Sequence, residues 1–276
     1  MRKITLLATF WNELEWIEAS LDQMHKLNAD EIIICDGCFD ENKYNGSEDG
    51  TSEVLRKFAE ENSNVRIIRA FRIGRLKYFI DSILINFFSL SHVARTLIDA
   101  VTKSNYRLNQ AYTFNKMLSM AKHNQPGDWF MTIDADQFYN DRMIELISNR
   151  ENWKLSPSCH LITAKELTFF EDFNHYIQGH EKRTWNNMPH RIVENGSFYP
   201  TRHYKVPVNG KLKFLVDVFD TEDVGYYFHY KFRRNVERLA MGYELGDRKN
   251  PEVYPDLSIN VFTGDHPASV SKKVSE

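Results

Sequence analysis

The stretch EIIICDG, residues 31–37, gives the clearest indication of the fold. Its three consecutive isoleucines form an apolar run without polar alternation, which is typical of a strand covered on both faces in a parallel sheet. Similar runs lie on either side, ITLLATF at residues 4–10 and VRIIRAF at residues 65–71. Helical periodicity fills both gaps, and Thr51 opens the second helix. This βαβαβ order predicts an α/β protein with a Rossmann-like, mostly parallel sheet flanked by helices.

The remaining sequence predicts further elements around this sheet. GDWFMTIDADQFY, residues 127–139, contains a fourth buried strand that ends in two aspartates. The other predicted elements are a helical apolar insertion at 72–105, helices at 107–122 and 141–148, a strand at 160–170, long loops with short antiparallel strands at 171–208, and a late helix at 232–246. We predict one main domain over residues 1–230, followed by a C-terminal helix and an irregular tail over residues 231–276.

Composition argues against several classes of protein. The net charge of −3 gives no general reason to expect nucleic-acid binding. Three cysteines do not make a disulfide framework, and free thiols suit a reducing cytoplasm. The first apolar stretch is too short for a secretory signal, and no run reaches the roughly 20 apolar residues that span a bilayer. We therefore expect a cytoplasmic protein.

Two aspartates, Asp134 and Asp136, close the fourth strand. Residues i and i+2 of a strand point to the same side, so both carboxylates are expected to face the crevice where doubly wound sheets bind ligands. Carboxylates held together in a partly dry site repel each other unless a positive charge lies between them. Oxygen ligands favour Mg²⁺ or Mn²⁺. The pair predicts a metal site, and capping of the helix near residue 141 is the alternative.

Polar residues also follow the first two strands. Thr9, Asn12 and Glu13 come after strand one, and Asp36 comes after strand two. Asn12 with Glu15 also resembles a helix-start box. Because the carboxyl ends of parallel strands meet at one edge, these four residues are candidates for a ligand site beside the two aspartates, and a simple turn is the alternative for Asp36.

The three motifs together resemble glycosyltransferase family 2, in its bacterial, DxD-containing form with the GT-A fold. The matching segments are TFWNE, CDG with a later DGT, and DWFMTIDADQF. The resemblance implies that Thr9 and Glu13 lie by the nucleotide and that Asp36 holds the base or ribose. It implies that Asp134 and Asp136 hold the metal and the diphosphate.

The chain departs from the family pattern in two places. Twelve residues separate Asp36 from Asp49, so Asp49 is expected to fall short of the site. Phe114 stands where the family often has an arginine, next to Asn115, which fits by spacing. Arg107, two turns earlier, is the expected source of the missing positive charge.

The C-terminal half resembles a bacterial subset of the family and would form the acceptor side. The matching segments are RIVENGSFYPTRHYK at residues 191–205 and FHYK at residues 228–231. In many GT-A enzymes a downstream histidine completes the metal shell. His229 is the first choice and His203 the second, since neutral imidazole suits Mn²⁺. A half-buried histidine at the end of a strand explains His229 equally well.

The implied activity is a metal-dependent, inverting transfer of a sugar from a nucleoside-diphosphate sugar to an acceptor hydroxyl. The acceptor would be a glycan or a lipid-linked molecule in cell-surface glycan synthesis. An inverting enzyme requires a carboxylate base for the attacking hydroxyl. Glu171 and Asp172 are favoured for this role, from the candidates Glu166, Glu171, Asp172, Glu222 and Asp223. The alternatives are a sugar nucleotidyltransferase and a non-catalytic nucleotide- or sugar-binding protein on the same scaffold.

The apolar insertion carries a further expectation. Residues 78–93 contain many large apolar side chains, and arginine and lysine flank them. A helix of this type suits peripheral contact with a membrane, here at its inner face. Packing on the core and packing in a dimer interface are the alternatives.

Overall fold

The chain folds as an α/β protein with a mostly parallel sheet flanked by helices, which confirms the predicted class. The computed structural model describes residues 2–86, 90–170, 172–177, 183–184, 187–200, 202–232 and 259–275. The first elements are β1 (Ile4–Phe10), α1 (Ile17–Lys26), β2 (Glu31–Asp36), α2 (Thr51–Glu61) and β3 (Val65–Ile68). They are followed by α3 (Arg75–Asn86), α4 (Leu90–Thr102), α5 (Asn105–Met120), β4 (Trp129–Asp134), β5 (Gln137–Tyr139) and α6 (Asp141–Ser148).

Strands β3, β2, β1 and β4 lie side by side in this order and run parallel. Helices cover both faces, which explains why these strands are apolar without alternation. In β1, Leu6 packs in the core that contains Ile17 of α1, whereas Leu7 packs on the other face with Phe114 of α5. Both leucines are fully buried. Burial of each contributes about 1.5–3 kcal/mol to folding, so the two-sided core holds the strand ends in fixed positions.

The second half extends the sheet with shorter and partly antiparallel strands. Its elements are β6 (Cys159–Phe170), β7 (His175–Ile177), β8 (Arg183–Thr184), β9 (His190–Arg191), β10 (Ser197–Phe198), β11 (Tyr204–Val208), β12 (Lys211–Phe214) and β13 (Asp220–Phe232). The short strand β9 joins β4 to β6 by antiparallel pairing on both sides. Strand β13 runs parallel to β6 and antiparallel to β5, so it meets the turn that follows β4.

The described part of the tail is more regular than the sequence indicates. Strand β14 (Ile259–Val261) pairs with β7, and a short helix, α7 (Ser271–Ser275), follows. The expectation of irregular chain is wrong here because the rings of Phe262 and His266 pack against Phe169 of β6. The predicted helix at 232–246 lies outside the described residues, apart from Phe232, which ends β13.

His190 in β9 makes a testable contribution to acid stability. Its ring stacks on Phe130 with centroids 5.0 Å apart, and Nδ1 lies 2.6 Å from the carbonyl oxygen of Met188. Burial lowers the pKa of His190 from 6.5 to about 4. Between these two pH values His190 is therefore protonated in the unfolded chain and neutral in the folded chain. The stability that His190 contributes is complete above its unfolded pKa and is lost as the pH falls towards its folded pKa.

We expect the free energy of unfolding of the wild-type protein to fall between about pH 7 and about pH 4, with about 3 kcal/mol of the loss due to His190. Urea titrations at the two pH values measure the loss. His190→Gln should reduce it by that amount, and His25→Gln, at an exposed position on α1, should not. An equal loss in both variants would contradict the assignment to His190.

Candidate functional site

The register of the sheet brings the predicted site residues to one edge. Thr9 lies opposite Asp134 on one side and Cys35 on the other, and Phe10 lies opposite Asp36. The ends of β2, β1 and β4 are therefore level, as the sequence predicts for a parallel sheet. We call this edge, with the loops that follow the three strands, the strand-end site.

On the β2 side, Asp36 is buried and fully bonded. Oδ1 accepts hydrogen bonds from the main-chain N and the hydroxyl of Ser47, at 3.0 and 2.8 Å. Oδ2 accepts from the hydroxyl of Ser52 at 2.5 Å and from Nη1 of Arg69. Asp36 thus holds the long loop that follows β2 in place. Its predicted contact with a base or ribose stays a prediction.

The long loop after β2 reaches the loop after β1, contrary to the sequence expectation for Asp49. Oδ2 of Asp49 accepts a hydrogen bond from the N of Leu14 at 2.9 Å, and Oδ1 accepts from the N of Thr51 at 3.0 Å. The main-chain N of Glu13 donates to Thr51 Oγ1 at 2.9 Å. Burial opposes ionisation of Asp49, but these hydrogen bonds outweigh it and lower its pKa. The twelve-residue spacing misled because the loop folds back on itself.

Asn12 joins the same two loops. Its φ is +54°, its N donates to Ser47 Oγ at 2.9 Å, and its Oδ1 accepts from the N of Glu48 at 2.9 Å. Helix α1 begins only at Ile17. The predicted helix-start box is therefore wrong, because the Asn12 side chain serves the neighbouring loop instead of a helix end.

On the β4 side, Asp134 forms a two-pronged ion pair with Arg202. Nη1 and Nη2 of Arg202 lie 2.7 and 2.6 Å from the two carboxylate oxygens. Asn187 adds a third donor, with Nδ2 3.2 Å from Asp134 Oδ2. The guanidinium carbon of Arg202 lies 5.4 Å from the ring centroid of Phe114. Burial disfavours the Arg202 charge, but Asp134 outweighs this and raises the pKa of Arg202.

Asp136 lies in the turn between β4 and β5, so it does not continue the strand beside Asp134. The prediction that both carboxylates lie on one side of one strand is therefore wrong. Nε2 of His229, on β13, lies 3.6 Å from Oδ1 of Asp136. On the other side of the ring, Nδ1 lies 2.6 Å from Oε1 of Glu166. Each aspartate thus has its own cationic partner, Arg202 for Asp134 and the His229 ring for Asp136.

Glu166 holds the His229 ring in place. Its carboxylate also accepts hydrogen bonds from the hydroxyls of Thr168 and Tyr227, each at 2.6 Å. Burial opposes ionisation of Glu166, but the charge of His229 outweighs it and keeps the pKa of Glu166 far below its usual range. Burial likewise opposes protonation of His229, but Glu166 and Asp136 outweigh it and raise its pKa to about 9.

The donor set at Asp136 and His229 fits a divalent cation. Nε2 of His229 and Oδ1 of Asp136, 3.6 Å apart, are a nitrogen and an oxygen of the kind that ligate such ions. A carboxylate behind the ring, here Glu166, is the usual support of a metal-binding histidine. When His229 is neutral, Asp134, Asp136 and Glu166 together with Arg202 carry a net charge of −2. A divalent ion would balance this charge. No group of three or more His, Cys, Asp or Glu suited to a metal occurs among the described residues. Among the described residues, Asp136 and His229 are the candidate ligands here, because both Asp134 oxygens are paired with Arg202.

Asn115, Arg107 and His203 were also predicted to belong to the site, and their contacts are as follows. Asn115 bonds the main chain of Phe198 with both ends of its amide, at 2.8 and 2.7 Å, and so anchors β10. The pKa of His203 is lowered to about 4, first by burial and then by the positive charges of Lys205, Arg202 and Arg107. The ring of His203 packs edge-on against Phe214, 5.2 Å away.

The predicted bases are not brought together. Asp172 closes the turn before β7, accepting from the N of Asn174 and the N of His175 at 2.7 and 2.8 Å. Glu171 lies outside the described residues. Glu222 and Asp223 are exposed. Of the four candidates within the described residues, Glu166 alone contacts His229, the neighbour of Asp136, and its lowered pKa makes it a charge partner of His229 rather than a base.

Sequence reasoning missed Arg202 and Asn187. Arg202 has a φ of +64° and Asn187 a φ of +60°, and both lie in poorly periodic chain far from β4. The sequence analysis assigned the positive charge to Arg107, whereas the structure places Arg202 on Asp134 and packs its guanidinium on Phe114.

The fold is that of an α/β protein with a cluster of charged residues at the ends of its parallel strands. No family model and no curated protein matches the chain. Among solved structures, S. aureus TarS is similar at 10% identity and a TM-score of 0.43, over 83% of this chain and 36% of that chain. A second structure, S. aureus TarS 1-349, is similar at 13% identity and a TM-score of 0.40, over 83% and 60%. The chain thus spans less than two thirds of either.

A third similar structure is glucosyl-3-phosphoglycerate synthase from Mycobacterium tuberculosis, in complex with Mn²⁺, UDP and glucosyl-3-phosphoglycerate. The identity is 12% and the TM-score 0.37, over 100% of this chain and 92% of that chain.

Proposed function

We propose that the chain is a glycosyltransferase that moves a sugar from a nucleoside-diphosphate sugar to an acceptor hydroxyl. The supporting observation is the charge pattern of the strand-end site. Asp134 is held by Arg202, and Asp136 faces His229, whose ring is fixed by Glu166. The segments that resemble the motifs of glycosyltransferase family 2 lie at these strand ends. The acceptor is proposed to be a glycan or a lipid-linked molecule, and the protein to work in the cytoplasm.

Asp136 and His229 are the residues that would hold Mn²⁺ or Mg²⁺. When bound, such an ion supplies Lewis-acid stabilisation of the charge that develops on the diphosphate leaving group. Glu166 fixes the His229 ring through Nδ1, so that Nε2 faces Asp136. Proton loss from Nε2 is required before this nitrogen can act as a ligand.

Arg202 is proposed to contact the diphosphate. Asp134 orients the guanidinium through two hydrogen bonds, and Phe114 packs against it. The Nε of Arg202 is buried and finds no acceptor among the residues that the structure describes. A phosphate oxygen provides such an acceptor, and charge-assisted bonds of this kind are among the strongest in proteins. Thr9, Asn12, Glu13 and Asp36 are proposed to lie towards the nucleoside.

In the proposed reaction the bond between the anomeric carbon and the β-phosphate oxygen breaks, and its electron pair stays on the phosphate. The acceptor oxygen attacks from the opposite face, which inverts the anomeric centre. The acceptor proton passes to a carboxylate base, with Glu171 and Asp172 as the proposed candidates. General-base assistance is worth about 10²–10⁴-fold in rate.

Thermal unfolding with UDP-, GDP-, dTDP- and CMP-sugars tests the proposal, in Mn²⁺ and in EDTA. One nucleotide sugar is expected to raise Tm by about 5 °C or more at saturating concentration in Mn²⁺, and clearly less in EDTA. The same mixture should slowly release free sugar when no acceptor is present. Binding without turnover in any mixture would favour a non-catalytic binding protein. Release of pyrophosphate from a nucleoside triphosphate and a sugar phosphate would favour a nucleotidyltransferase.

A further inference from the structure

The insertion presents an exposed apolar surface. Helices α3 and α4 pack against each other as a hairpin. Each carries large apolar side chains in a helical stripe that faces away from the protein. Their exposed fractions range from 44% to 82%, and six of them form what we call the hairpin face: Leu76, Ile80, Leu84, Leu90, Ile98 and Val101. Large apolar side chains exposed together on a pair of packed helices are typical of an interaction surface.

The basic and acidic side chains of the two ion pairs on the hairpin differ in their exposure to solvent. Lys77 and Arg95 are 61% and 44% exposed, whereas their partners Asp81 and Asp99 are 19% and 1% exposed. The hydroxyl of Tyr112 donates to Asp81 at 2.5 Å, which holds that carboxylate against α5. Asp81 and Asp99 are thus turned inward, whereas Lys77 and Arg95 stay exposed. Residues 72–105 hold five Lys or Arg against two Asp, in a chain whose net charge is −3.

This pattern decides between two occupants. If a second copy of the chain covered the hairpin face through a twofold axis, Lys77 and Arg95 of both copies would enter one interface, and like charges brought close together oppose association. A surface with anionic lipid headgroups complements both the apolar stripe and the cations. At such a surface, the methylene groups of Lys and Arg side chains lie along the apolar region, while their charged ends stay in the headgroup layer.

We propose that the hairpin face docks on an anionic lipid bilayer, with α3 and α4 lying in the plane of the interface. Among the described residues, no helix is long and apolar enough to cross a membrane. Amphipathic helices bind at the interface by inserting their apolar face to about 5–10 Å. The hairpin is bonded to the segment that carries Arg202, since the Tyr199 hydroxyl lies 3.0 Å from Nδ1 of His92. Docking would therefore hold the strand-end site near the membrane surface.

Vesicle flotation of the full chain tests this proposal without any measurement of transfer, so its outcome is separate from that of the proposed function. We expect binding to phosphatidylcholine vesicles that contain phosphatidylglycerol and little binding to phosphatidylcholine alone, with affinity falling as salt rises. Leu76→Ser with Leu84→Ser should weaken binding by about tenfold or more. Val261→Ser, at a position 65% exposed on β14, is the matched control and should bind as the wild type does.

The charge is tested separately by Lys77→Gln, which should weaken binding by about fivefold. Tyr112 still bonds Asp81 in this variant, so the hairpin is expected to stay folded. Equal binding to neutral and anionic vesicles would overturn the proposal, as would unchanged binding in both hairpin variants. Sedimentation velocity supplies the remaining outcome: a dimer that Leu76→Ser with Leu84→Ser dissociates, without vesicle binding by the wild type, assigns the hairpin face to a second copy.

Discussion

Asp136→Asn is expected to lose metal-dependent nucleotide binding by about 100-fold or more while the protein stays folded. The reason is that Asp136 supplies the only carboxylate oxygen facing Nε2 of His229 within the described residues, at 3.6 Å. Changes to groups that merely orient a ligand cost about 10–100-fold in metal affinity, and loss of a direct ligand costs at least as much. Asparagine keeps the shape of the side chain and removes its charge. Titration of the matching nucleoside diphosphate in Mn²⁺ and in EDTA measures the effect.

Asp128→Asn is the matched control. Asp128 precedes β4 at the opposite end of the strand, where Oδ2 accepts from the N of Gln125 at 3.2 Å. This variant should bind the nucleotide as the wild type does. Glu166→Gln should give an intermediate loss, since it keeps the His229 ring near Asp136 but removes the charge behind it. If Asp136→Asn binds normally in Mn²⁺, or if it unfolds, the proposed role of Asp136 is wrong.

Local patterns predicted the part of the site that the sheet itself positions. Apolar runs of strand length fixed β1, β2 and β4, and in a parallel sheet their ends must be level. Thr9, Asp36 and Asp134 therefore came out as neighbours from sequence alone, and the register confirms it. The helix at 141–148 was predicted at its observed bounds, and in the structure Oδ1 of Asn140 caps it by accepting from the N of Met143 at 2.8 Å.

The partners of Asp134 and Asp136 depend on contacts between residues that are far apart in the sequence. The cation beside Asp134 comes from residue 202 and the ring beside Asp136 from β13, which pairs with β5 only after more than eighty residues of intervening chain. Such pairings depend on how irregular segments pack, and these segments have no period to read. The sequence indicated that a positive charge was needed between the two aspartates. It suggested a metal ion with His229 as a ligand and Arg107 as the nearby cation, whereas the structure places Arg202 beside Asp134.

Arg202→Ala is expected to lower the free energy of unfolding by about 3 kcal/mol. The variant leaves Asp134 charged and only partly solvated, with Asn187 as the donor that remains at 3.2 Å. Removing one partner of a buried ion pair costs about 3–5 kcal/mol, and we take the low end because each side chain keeps about a fifth of its surface exposed. Urea unfolding measures the loss, and Arg56→Ala is the control. Arg56 pairs with Glu60 at 2.6 Å on the surface of α2, and its loss should cost within about 0.5 kcal/mol.

A second pair of variants separates the ion pair from the backbone at this position. Arg202 adopts a φ of +64°, a conformation that costs about 1–2 kcal/mol for any residue with a Cβ. Arg202→Gly removes both the ion pair and this cost, so it should be about 1 kcal/mol more stable than Arg202→Ala. Asp134→Asn combined with Arg202→Ala should recover part of the loss, because no carboxylate is then left without its cation. If Arg202→Ala is as stable as the wild type, or if the double variant is no more stable than Arg202→Ala, then Arg202 does not neutralise Asp134 and the strand-end site needs another source of positive charge.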